Sequence, residues 1–267
     1  MNGPVITLGV SLKMYFGYRQ TLDWCQAIAG QLRAHDAVRS GAIEVFIVPS
    51  YPVLAPALEI FDGLARVGAQ NLFWEDRGAY TGEVSPLMLH EMGCRVAEIG
   101  HAERRRYFAE SDRQIADKTA AAWRNGLTPV LCLGEEHPGE VDAAVQVCLQ
   151  QLHASLATAR TAGLRGELIL AYEPQWAIGA AQPASVGYIG AVCQALRAAL
   201  RDDSIRVIYG GSAGPGLLSQ LGGQVDGLFL GRFAHDPAAF QSILHEAAAI
   251  RAASIASAKE GAQWQSA

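Results

Sequence analysis

Four ionisable side chains stand where short apolar runs end. Lys13 follows GVSL, His101 and Glu103 follow VAEIG, and Glu173 closes ELILAY, with Pro174 immediately after it. A carboxyl beside Trp176 and Ile178 is disfavoured as an anion, so its pKa rises toward neutrality, which suits a general base. A histidine at a helix start is favoured in its neutral form and then polarises a carbonyl through a hydrogen bond rather than through charge. Two glycine-rich turns, YGGSAGPG at 209–216 and GLFLGR at 227–232, offer backbone N–H groups that can cradle a phosphate. Base, electrophile, cation and cradle together fit proton abstraction next to a carbonyl on a phosphorylated substrate. Each also has a plainer reading: Lys13 as a solvated surface group, His101 as a helix cap, Glu173 as half of an ion pair at a rim, and GGS as an ordinary turn.

Such residues need a scaffold that brings distant strand ends together. Eight β-branched and aliphatic runs recur along the chain: VITLGV, EVFIVP, ARVGAQ, VAEIG, TPVLCL, ELILAY, IRVIY and GLFLG. Amphipathic, Ala-rich stretches such as TLDWCQAIAGQLRAH and DRQIADKTAAAWRNG lie between them. Continuous apolar strands alternating with helices imply a parallel sheet covered by helices. Eight units with no linker predict an α/β fold, a single (β/α)8 barrel domain over 1–250, with the small, polar end 251–267 as a tail. A doubly wound open sheet has the same periodicity. One stretch breaks the rhythm: NLFWEDRGAYTGEVSP at 71–86 is long, aromatic and acidic, as expected of a loop with a function or a partner.

Composition narrows the class. The 267 residues are half apolar and 18% charged, with a net charge of −5, which suits a globular protein and gives no bulk attraction to nucleic acid or anionic membrane. No apolar run is long enough to span a bilayer, and MNGPVITLGV has no basic n-region, so neither a membrane partner nor a secretory signal is expected. Cys25, Cys94, Cys132, Cys148 and Cys193 are scattered and odd in number, which argues against disulfides or a zinc site and for a reducing, cytoplasmic setting. No metal and no cofactor is expected.

Taken in order, the segments GAQN, GAYTGEVSP, EIGHAERRRYFAESD, GLTPVLCLGE, AYEPQWAIG, YGGS and DGLFLG resemble the triosephosphate isomerase family along nearly the whole chain. The resemblance implies an isomerase that interconverts aldose and ketose forms of a small phosphorylated sugar through an enediolate, with a place in glycolysis and gluconeogenesis. It makes Glu173 the base, His101 the neutral electrophile, Lys13 the fixed positive charge and Glu103 an orienting group. Ser11, Gly179, Gly211, Ser212, Gly231 and Arg232 would hold substrate and phosphate, and Pro174, Trp176, Ala177 and Ile178 would form a water-excluding lid. It also implies a homodimer in which the loop around Gln70, Asn71, Thr81 and Glu83 docks into a neighbouring subunit, with Glu83 and Arg104 as an internal ion pair.

Four positions depart from the family pattern. Ser11 stands where asparagine is usual, Ala102 where serine is usual, the lid tip reads GAAQPA, and Arg232 replaces a glycine. All lie around the ligand, while base, electrophile and lysine remain. DGLFLGR is also similar to a branch of the family that isomerises four-carbon ketose phosphates such as erythrulose phosphate, so triose and tetrulose phosphates both stand as substrates. Two other readings are a non-catalytic phosphate-binding relative and a Schiff-base aldolase using Lys13. The aldolase would want its lysine buried in mid-barrel with a perturbed pKa, whereas Lys13 is at the end of the first strand and there is a separate glutamate base.

Overall fold

The computed structural model describes residues 5–200, 202 and 204–264; from 255 onward the description is of the backbone alone. All eight apolar runs are strands: β1 Ile6–Ser11, β2 Ile43–Val48, β3 Arg66–Ala69, β4 Val96–Ile99, β5 Thr128–Leu133, β6 Leu168–Tyr172, β7 Ile205–Tyr209 and β8 Gly227–Leu230. Each pairs in parallel with the next, and β8 pairs back onto β1 with Leu8 opposite Leu228. That last pairing closes the barrel and excludes the open sheet.

Helices cover the outside because their apolar stripes match the outward face of the strands. The helix Tyr18–Ala34 buries Trp24, Cys25, Ile28 and Leu32. The helix Asp112–Arg124 starts at a capping box in which Ser111 and Gln114 satisfy each other's free N–H groups. The last helix runs Pro237–Trp264. The segment expected to be a tail from 251 therefore continues this helix through Trp264, as its alanine content favours; residues 265–267 lie outside the described residues.

Alternate side chains of each strand enter the lumen and stack in layers. At the N-terminal end, Arg66 pairs with Glu44 at 2.7 Å and with Glu167 at 3.0 Å, and Arg206 bridges the same two carboxylates. Above this polar plug, Phe46, Val96, Val130, Ile169, Ile208 and Phe229 form an apolar layer. Polar groups return toward the C-terminal end of the strands, where Ser11 and Glu98 are buried. The chemistry-bearing residues stand above them.

Candidate active site

Lys13 lies two residues past β1 with a φ of +48°, a conformation costly for any residue other than glycine. Its carbonyl is held from two sides, by Ser50 Oγ at 2.9 Å and by Gln70 Nε2 at 3.0 Å. The ammonium reaches Glu103 Oε2 at 3.2 Å and His101 Nε2 at 2.8 Å. Burial alone would lower the lysine pKa, but the carboxyls of Glu98, Glu173 and Glu103 outweigh it and raise it, so Lys13 stays charged.

His101 is the N-cap of the helix Ala102–Phe108, and its Nδ1 accepts from the backbone N–H of Glu103 at 3.0 Å. A neutral imidazole that accepts at Nδ1 carries its proton on Nε2. Burial, reinforced by the Lys13 charge, holds the His101 pKa down to about 3, so the ring is neutral across the physiological range. Nε2 and the ammonium stand 2.8 Å apart at the edge of the pocket, where a ligand oxygen entering between them would draw a hydrogen bond from each, an arrangement suited to an oxygen on which negative charge develops. Glu103 is half-exposed and closes the group, with Oε2 3.7 Å from His101 Nδ1.

Glu173 follows β6 directly, and its N–H donates to Leu133 O at 2.7 Å. Its side chain lies against Gly210, where an added Cβ would stand 2.5 Å from Glu173 Cγ, so only glycine leaves room for the base. Oε2 is buried without a hydrogen-bond partner, 3.4 Å from His101 Nε2. Burial raises the pKa to about 7 against the opposing pull of Lys13. A carboxylate with one unengaged oxygen and a pKa near neutrality is equipped to take a proton from carbon and return it.

The segment expected to form the lid begins at Pro174 and makes a single 3-10 turn over Gln175–Ala177. Trp176 Nε1 donates to Glu135 Oε1 at 2.9 Å, and the hydroxyls of Tyr172 and Tyr188 donate to the same oxygen at 3.1 and 3.0 Å. At the other end, Ser212 Oγ lies 3.0 Å from Ala177 O and 2.8 Å from Ala180 O, tying the turn after β7 to the lid. That turn needs Gly211 in the left-handed region, at φ +84°. Arg232 is exposed and extends over the mouth, where Nη2 donates to Gly179 O at 3.3 Å.

Every residue expected to act on substrate or phosphate lines one pocket at the C-terminal end of the barrel, with Ile178 of the lid among them. Pro174, Trp176 and Ala177 do not line it. The side chains at the root of the 71–86 loop are engaged within this chain: Gln70 holds Lys13 and Val48, and Asn71 Oδ1 accepts from Lys118 at 2.8 Å. Thr81 and Glu83 are exposed. The expected Glu83–Arg104 ion pair does not form. Arg104 pairs instead with Glu110 at 3.3 Å, because the helix ends in a left-handed Ala109 and folds Glu110 back beneath it. Lys118 joins the same buried carboxylate.

Two functional groups escaped the sequence reading. Glu135 had a signal like that of Glu173, an acid just past an apolar strand run, but Gly134 separates it from the run and no proline follows it directly. Glu98 is more hidden: it is fully buried three residues before His101, and burial raises its pKa.

Residues 6–247 match the family model described as triosephosphate isomerase. The chain is 59% identical over 254 residues to an L-erythrulose-1-phosphate isomerase of Pectobacterium atrosepticum, covering 92% of this chain and 97% of the relative. It is 37% identical over 252 residues to a protein of the same name from Rhizobium etli, covering 90% and 91%. Among solved structures it is similar to triosephosphate isomerase from Bartonella henselae, with a TM-score of 0.73 and 29% identity over 90% of this chain and 98% of that one.

Proposed function

Because the chain belongs to the triosephosphate isomerase family, we propose that it isomerises a four-carbon ketose phosphate of the erythrulose 1-phosphate type. The observation that carries the chemistry is the convergence of Lys13, neutral His101 and the unengaged Glu173 oxygen on one pocket. Likeness to the two L-erythrulose-1-phosphate isomerases supports the four-carbon substrate. So does the position of three of the four family departures: Ser11 and Arg232 line the pocket and the altered lid tip begins at Gly179, whereas Ala102 does not line it.

In erythrulose 1-phosphate the carbonyl is at C2, next to the phosphate-bearing carbon. Glu173 takes the proton from C3, and the electron pair of that C–H bond moves to the C2 oxygen. His101 Nε2–H and the Lys13 ammonium stabilise the enediolate so formed. One hydroxyl proton passes between the oxygens on C2 and C3 by way of His101, and Glu173 returns its proton to C2. No atom or electron is gained or lost, and the carbonyl ends at C3, which makes the product an erythrulose 4-phosphate. A three-carbon substrate would give an aldehyde by the same steps; a four-carbon one gives a second ketone. The lid anchored by Trp176 keeps water from an enediolate that would otherwise lose phosphate.

A homodimer accompanies this reading. Met14 and Tyr15 beside the catalytic lysine and Tyr80 on the long loop are exposed apolar groups, as an interface built on Thr81 requires. Five free, buried cysteines fit a reducing compartment. Among the described residues no helix is long and apolar enough to cross a membrane.

The test is kcat/KM for erythrulose 1-phosphate against dihydroxyacetone phosphate and glyceraldehyde 3-phosphate. Preference for the four-carbon substrate supports the reading; preference for the triose phosphates assigns the protein to the three-carbon reaction instead.

A further inference from the structure

Ser11 and Glu98 meet inside the barrel, although β1 and β4 are not neighbouring strands. Ser11 Oγ donates to Glu98 Oε2 at 2.9 Å in a buried contact. Both are almost wholly buried, but only Ser11 lines the pocket. A buried carboxyl here needs a reason, since the proton transfers above make no use of it and its charge burdens a site that already holds Glu103 and Glu173.

A serine hydroxyl has one proton to donate and lone pairs to accept with. Here the proton is committed to Glu98. A proton carried on the other oxygen of Glu98 would leave this bond undisturbed. What Ser11 turns toward the ligand is therefore an acceptor. An asparagine, usual at this position in the family, presents an N–H2 donor suited to a carbonyl, ester or phosphate oxygen. An acceptor fits a hydroxyl, and the four-carbon substrate has one hydroxyl more than the three-carbon one.

We infer that Ser11 and Glu98 act as a hydroxyl-reading pair: Glu98 is a positioning residue that fixes the polarity of Ser11, and Ser11 accepts from the terminal hydroxyl of a tetrulose phosphate. The inference rests on the proposed four-carbon reaction. It explains why the asparagine is missing where the rest of the catalytic set is kept.

The experiment compares kcat/KM for erythrulose 1-phosphate and its 4-deoxy analogue, which keeps the carbon chain and lacks only the terminal hydroxyl. The wild-type protein should favour the hydroxylated substrate by about fivefold or more, the scale of one hydrogen bond. Ser11→Ala should bring the ratio close to one. Glu98→Leu should lower the ratio, because the Ser11 hydroxyl is then no longer held as an acceptor toward the ligand. Glu98→Gln, whose amide oxygen still accepts from Ser11, should keep most of the preference. The ratio is the informative readout: loss of a charge near Lys13 and Glu173 affects both substrates alike and cancels, and a purely structural pair would leave it unchanged. Thermal unfolding of each variant verifies that the barrel is intact. A wild-type protein that turns over triose phosphates and neither tetrulose overturns the proposed reaction and the pair with it. A wild-type preference that survives in Ser11→Ala, or is lost equally in Glu98→Gln and Glu98→Leu, overturns the pair and leaves the reaction standing.

Discussion

Glu173 Oε2 lies 3.4 Å from His101 Nε2, and both side chains are buried, yet burial drives their ionisation in opposite directions. It raises the acid to about 7 and depresses the imidazole to about 3, so between those values the neutral forms of both dominate. The site avoids a fixed ion pair, which would occupy the base and deprive His101 of its role as a neutral donor. Since only the carboxylate is a base, kcat/KM is expected to rise with pH and level off above an apparent pKa near 7. No inflection from His101 is expected between pH 5 and 8. A profile flat from pH 5 to 8 would show that the base is not a raised carboxylic acid.

Stability should move the other way. The folded pKa of Glu173 stands above its ordinary value of 4.5, so between 4.5 and about 7 the native state binds more protons than the unfolded chain. This contribution is full below 4.5 and is lost as pH rises through about 7. Glu173→Gln has no such penalty, and its advantage in unfolding free energy over the wild-type protein should grow across that window by at most about 3 kcal/mol. Denaturant melts of both proteins at pH 5 and pH 8 measure it; an unchanging difference contradicts the burial argument.

The same substitution isolates the chemistry. Glu173→Gln keeps the shape of the side chain and removes the base, so turnover should fall by about two to four orders of magnitude with the fold retained. Near-normal turnover in a folded variant would exclude Glu173 as the proton shuttle.

The parts legible in the sequence are those whose physics is local. Eight apolar runs sufficed for the strands, since strands buried on both faces need no alternation, but closure of the sheet is decided by the pairing of β8 with β1. That Lys13, His101 and Glu173 share one pocket was legible because each ends such a run, and barrels gather their strand ends at one mouth. Glu98 lies within a run, and the run alone does not tell which face of β4 is the lumen; its partner Ser11 is 87 residues away on a strand that does not adjoin it. The partner of Arg104 was misjudged for a similar reason. The left-handed turn at Ala109 that brings Glu110 back has no glycine to announce it.

Glu135 anchors the first turn of the proposed lid through Trp176. Removing its carboxylate leaves the hydroxyls of Tyr172 and Tyr188 and the indole N–H of Trp176 without their shared acceptor. Tyr188 and Trp176 are partly exposed and recover water, whereas Tyr172 is buried. Glu135→Ala should therefore cost about 2–3 kcal/mol of stability. It should also lower kcat, because Trp176 loses its anchor. Stability and kcat both unchanged would remove Glu135 from the lid.

Arg232 stands where the family usually has glycine, and its guanidinium leans across the pocket mouth to Gly179 O in the lid. It is exposed, and a single 3.3 Å bond to a carbonyl leaves most of its donors available to a ligand. An arginine bond to a phosphate or sugar oxygen contributes roughly 1.5–3 kcal/mol, enough to set a preference between substrates of different length. The proposed proton transfer lies deeper, at Glu173 and His101, and should not depend on it. Arg232→Gly is expected to shift the kcat/KM ratio between four-carbon and three-carbon phosphates by about tenfold or more toward the triose. An equal loss for both substrates would make Arg232 a general phosphate or lid contact. No change for either would leave its bond to Gly179 as a surface feature, and substrate choice would then rest on Ser11 and Glu98 below the ligand rather than on the arginine above it.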